Sequence, residues 1–67
     1  MEVLQEYWIL LDNTDILAVF STLQECLLWK PPGEILNPNI LRVKQMVDGT
    51  FRKQAISVNP DIYAWKI

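Results

Sequence analysis

The chain has no histidine, one cysteine and two glycines in 67 residues. No histidine and a single thiol leave no ordinary donor set for zinc. One cysteine also makes an internal disulfide impossible. Gly33 and Gly49 stand apart, so no glycine-rich phosphate loop exists. Long apolar runs are missing as well. Tyr7 to Leu11 and Ile16 to Phe20 are five residues each, against about 20 for a helix that crosses a bilayer. The opening Met1-Glu2-Val3 lacks the basic region of a signal peptide. The expectation is a soluble, cytoplasmic protein with no membrane association, no metal and no cofactor.

Hydrophobic residues make up 51% of the chain, too many for a disordered segment. The length suits a single domain over residues 1–67. A domain this small buries only roughly 60% of its unfolded surface. Without cross-links it depends on packing or on a partner chain. Seven aromatics (Tyr7, Trp8, Phe20, Trp29, Phe51, Tyr63, Trp65) carry much of that burial.

Glu6 to Leu11 and Ile16 to Phe20 read as two strands, rich in β-branched and aromatic residues. Asp12-Asn13-Thr14-Asp15 between them reads as a turn. Opposing Asp12 to Asp15 pairs Leu11–Ile16, Ile9–Ala18 and Tyr7–Phe20 on one face, and Leu10–Leu17 and Trp8–Val19 on the other. Thr22-Leu23-Gln24-Glu25 fits a capping box, so a helix is expected from Leu23 to Lys30, stopped by Pro31-Pro32-Gly33. Leu23, Cys26, Leu27 and the stem of Lys30 share its inner face. Pro31 to Asn39 is a linker, pinned by Ile35 and Leu36.

Asp48-Gly49 between Leu41 to Val47 and Thr50 to Val58 predicts a second hairpin with a two-residue turn, opposing Val47 to Thr50. That register puts Leu41, Val43, Val47, Ile56 and Val58 on one face. Arg42, Lys44, Met46, Phe51, Lys53 and Ala55 fall on the other. A helix over Ile40 to Val47, capped by Asn39, is the competing reading. Ile62 to Ile67 fits a last short strand. The fold expected is therefore α+β, ββαββ with an optional fifth strand, one helix on one face of a small antiparallel sheet.

Catalytic chemistry finds little support. The eight acids sit in turns, caps and loops, and there is no histidine to act as a base. Cys26 falls on the helix stripe that faces the core, where it behaves as a small apolar residue. No enzyme activity is expected. Charge is uneven. Residues 1–34 hold six acids and one base (−5), and residues 35–67 hold two acids and five bases (+3). Arg42, Lys44, Arg52 and Lys53 lie within twelve positions. With Phe51 beside them they form a candidate nucleic-acid surface, or merely the solvated side of a half-buried sheet.

The first hairpin is apolar on both faces, and one short helix covers only one of them. If Tyr7, Ile9, Leu11, Ile16, Ala18 and Phe20 meet the helix, then Trp8, Leu10, Leu17 and Val19 face outward; otherwise the reverse holds. The spare face is covered either by the C-terminal segment with Ile62, Tyr63 and Trp65, or by another chain. Trp29, at the helix end before Pro31, either packs on the proline linker or joins that contact surface.

The segment from Tyr7 to Leu27, a hairpin ending in Val19-Phe20-Ser21 that runs straight into a capped helix, resembles a pattern in tiny phage and mobile-element α+β proteins, anti-CRISPR-like inhibitors among them. The likeness covers about a third of the chain and carries no functional residues. It implies a binding protein that modifies a host or defence complex. The function expected is thus protein binding, to another protein or to a second copy as a homodimer, through Trp8, Leu10, Leu17, Val19 and Trp29. The alternatives are a nucleic-acid binder using Arg42, Lys44, Phe51, Arg52 and Lys53, and an ancillary structural subunit.

Overall fold

The computed structural model describes residues 2–58 and Tyr63. In chain order these form β1 (Val3–Asp12), β2 (Asp15–Phe20), α1 (Leu23–Leu28), β3 (Pro38–Met46) and β4 (Phe51–Ile56). The four strands make one antiparallel sheet in the order β2-β1-β3-β4. The fold is mixed α+β, with one short helix. Residues 40–47 are extended rather than helical up to Met46. Three or more β-favouring side chains and a long partner in β1 outweigh the helical spacing there. The expected strand from Ile62 to Ile67 lies outside the described residues, apart from Tyr63.

Both hairpins depart from the expected register. In the first, Asp12 opposes Asp15 and Leu11 opposes Ile16, as expected. Beyond that point the pairing slips: Leu10 opposes Ala18, Ile9 opposes Val19 and Trp8 opposes Phe20. Leu17 is the extra residue of a β-bulge. A bulge of one residue exchanges the faces of everything beyond it. Ala18 and Phe20 therefore join Trp8 and Leu10, and Val19 joins Ile9.

In the second hairpin, Gln45 opposes Phe51 and Ile40 opposes Ile56. The loop has three residues, Val47-Asp48-Gly49, closed by Met46 N–H to Thr50 O at 2.8 Å and Gly49 N–H to Met46 O at 3.0 Å. Gly49 takes φ +89°, which a side chain would oppose. A left-handed glycine ending a three-residue loop is a standard alternative to the two-residue turn. The Asp48 carboxylate accepts from the Thr50 hydroxyl at 2.6 Å and from its N–H at 3.0 Å, which holds its pKa below the usual value. The one-residue shift turns Ile56, Gln54 and Arg52 to the side of Ile40, Arg42 and Lys44. Phe51, Lys53 and Ala55 go to the opposite side.

The helix starts at its expected residue but ends two residues early. Thr22 Oγ1 accepts from Glu25 N–H at 3.2 Å, and Ser21 Oγ donates to Glu25 Oε1 at 3.4 Å. Trp29 is already extended, at φ −67° and ψ 139°. The core lies between α1 and one side of the sheet: Leu10, Cys26, Ile35, Ile40 and Tyr63 are buried, flanked by Trp8, Phe20, Leu23, Leu27, Trp29, Ile56 and Val58. Phe20 and Trp29 meet edge to face at 5.7 Å. Of the two linker residues expected as anchors, Ile35 is buried and Leu36 is 79% exposed.

Asp12 instead ties the linker down. Its carboxylate accepts from Asn37 N–H at 2.9 Å and Leu36 N–H at 3.4 Å, and Asn13 N–H donates to Asn37 O at 2.9 Å. Asp12→Ala should therefore lower stability by about 1–2 kcal/mol, the range for hydrogen bonds to a charged acceptor discounted for solvent access. Urea unfolding, with an unchanged slope, measures it. A loss no larger than a few tenths would mean that Ile35 packing alone fixes the linker.

Candidate interaction surfaces

The register sorts the sheet into rows. On the helix side, Leu10–Ile40–Ile56 forms an apolar row, continued by Ala18 on β2. The next row is Phe20–Trp8–Arg42–Gln54, and the next is Glu6–Lys44–Arg52. Along this side the chemistry passes from core to cationic surface within three rows. On the other side, Val19–Ile9–Leu41–Ala55 and Tyr7–Val43–Lys53 run across the strands, with Leu11 and Ile16 at one end and Phe51 at the other.

No helix or strand among the described residues packs on that second side. Val19 is 55% exposed, Ile16 64% and Phe51 57%, while Tyr7, Ile9, Leu11 and Leu41 are half-buried and Val43, in the middle of this side, is buried. Tyr63 belongs to the core on the helix side. The tail at that residue therefore does not cover the open face. Lys53 is the one charge among these aligned side chains.

The five residues expected to contact a partner are dispersed. Leu10 is fully buried and Trp8 half-buried in the core, so neither is an outward-facing contact. They pack inward because Leu10 sits opposite Ile40 beneath the helix. Val19 lies on the open face. Leu17 and Trp29 come together in a groove of about 320 Å³ with Pro31, Pro32, Gly33, Glu34 and Ile35. Ile9, Leu11, Ile16 and Leu41 share that face with Val19 but were not among the five. The sequence offered the first three only as the reverse reading of the hairpin, because Tyr7 to Leu11 and Ile16 to Phe20 are unbroken apolar runs that leave the face open.

The five residues of the nucleic-acid alternative divide as well. Arg42, Lys44, Arg52 and Lys53, with Gln54, line an open groove of about 340 Å³. Phe51 is on the opposite face, because the second hairpin is shifted by one. Trp8 takes its place as the aromatic neighbour: the Arg42 guanidinium lies 5.1 Å from the ring centre. Arg42 Nη2 also donates to Glu6 Oε1 at 2.6 Å, and both side chains are about a third exposed. Arg42 Nε is buried with no hydrogen-bond partner.

No helix among the described residues is long and apolar enough to cross a membrane. Comparison with protein-family models, curated proteins and solved structures finds no match to this chain.

Cys26 is fully buried, and burial pushes its thiol from 9.0 up to about 11. Burial also raises Tyr63, with a smaller push from Cys26. A group whose folded pKa is raised contributes stability that is complete below its unfolded value and lost as pH passes the folded one. Thermal stability should thus fall as pH rises from 9 towards 11. Cys26→Ala should flatten part of that fall, leaving the Tyr63 share. In the native protein at neutral pH, a thiol reagent should react many times more slowly than with the unfolded chain. Fast native labelling would contradict the burial.

Proposed function

We propose that this chain is a non-enzymatic protein that works by binding another protein through the open face of its sheet. The observation that carries the reading is the contiguous set Tyr7, Ile9, Leu11, Ile16, Val19, Leu41 and Phe51, with nothing described packed upon it. Four strands spaced as in any sheet give a patch on the order of 400 Å², near the upper end of what a monomer leaves in water. Burying it contributes roughly 10 kcal/mol before the cost of association.

Area also bears on the contact. A partner that covered this patch alone would hide about 800 Å² in total, counting both sides, short of the roughly 1,200 Å² of a stable pair. The contact therefore takes in surface beside the patch as well. Lys53 at the margin calls for an acid on that partner's rim. Action as an inhibitor or regulator of a host or defence complex is the version that the likeness to phage proteins implies.

A photoreactive amino acid at Val19 tests the reading in the cells that make the protein. One discrete adduct, heavier than two copies of the chain, is expected. It should vanish when Ile16→Lys is added, with the circular dichroism of the purified variant unchanged. No adduct, or only the doubled mass of the chain, would overturn the reading.

A further inference from the structure

We propose that the groove over β3 and β4 is a binding site for a compact polyphosphate anion of about nucleotide size, separate from the apolar face. Lys44 and Arg52 stand directly opposite each other in the ladder. Like charges in that position destabilise a sheet, and neither forms an ion pair among the described residues. The same is true of Lys53, whose ladder position is on the other side of the sheet but which borders the groove from the edge strand β4. The Asp48 carboxylate is close enough for its charge and that of Arg52 to interact, without forming an ion pair. Glu6 stands opposite Lys44 on β1 but is bonded to Arg42, and Asp48 meets Arg52 only at longer range, so the pair is incompletely neutralised within a concave site that an anion completes.

The fourth cation is already placed. Glu6 neutralises Arg42, and Trp8 backs its guanidinium. Arg42 is thus a positioning residue that holds one wall, with the Gln54 amide opposite it. Three unpaired cations call for more negative charge than one carboxylate brings. Phosphoryl oxygens also match the fork of an arginine. The volume, about 340 Å³, suits a short polyphosphate with or without its nucleoside. Single-stranded nucleic acid fits less well, since base stacking needs an exposed aromatic beside the cations. Phe51 is across the sheet and Trp8 is half-buried under Arg42.

Calorimetric titration of the purified chain at low salt, with tripolyphosphate and with ATP, tests the proposal. Saturable one-to-one binding is expected for both. Equal affinity would identify the phosphate chain as what is read, and tighter ATP binding would add the nucleoside. Arg52→Glu should weaken binding about tenfold or more. It should also raise the melting temperature of the unliganded chain, because Lys44 then faces an opposite charge. Lys44→Gln should weaken binding similarly and serves if the first variant does not fold. Tripolyphosphate should raise the melting temperature of the unchanged protein only. Absence of saturable binding would overturn the proposal. So would affinity indifferent to both substitutions, or tighter binding of oligothymidylate or oligoglutamate than of tripolyphosphate.

Discussion

A six-residue helix cannot cover both sides of a four-strand sheet, and most of this molecule follows from that shortage. The helix spans two turns at most, about 9 Å of axis, and packs on β1 and β2. The rest of that side is completed by Ile35 from the linker and by Tyr63. Both are remote in sequence from the strands they cover. Core formation therefore depends on the linker being anchored, which makes the Asp12 carboxylate more important than its half-exposed position suggests. Among the described residues, what lies beyond the helix is divided by chemistry: cations where the helix side runs out, mostly apolar side chains on the opposite side.

The elements were largely legible in the sequence, and their faces were not. Thr22 and Glu25 marked the helix start, Asp48-Gly49 marked a turn, and the Asp12–Asp15 opposition was correct. Face assignment slipped by one residue in both hairpins, for different reasons. Every residue from Ile16 to Phe20 is apolar, so alternation carries no register information, and nothing marks Leu17 as the residue left over. In the second hairpin, Asp-Gly announces a turn without saying whether its loop holds two residues or three. The third, Val47, is a strand former that the eye adds to β3.

Those two single-residue slips decide the surface chemistry. Without the bulge, Phe20 would leave Trp29 and Val19 would enter the core. Without the three-residue loop, Phe51 would stand among the cations, and Lys44 would face Lys53 in place of Arg52. Interaction surfaces in a domain of this size are products of register as much as of composition. A one-residue error moves an entire strand's side chains from one medium to the other.

The strand order also leaves the sheet with two unlike borders. β4 carries Arg52 and Lys53, cations of the kind that deter an approaching strand. β2, Asp-Ile-Leu-Ala-Val-Phe, has neither lysine nor proline to protect it. Among the described residues the rim at β2 is guarded by other means: the charge of Asp15 and the bulge at Leu17 interrupt the regular row of backbone donors and acceptors that a foreign segment would meet.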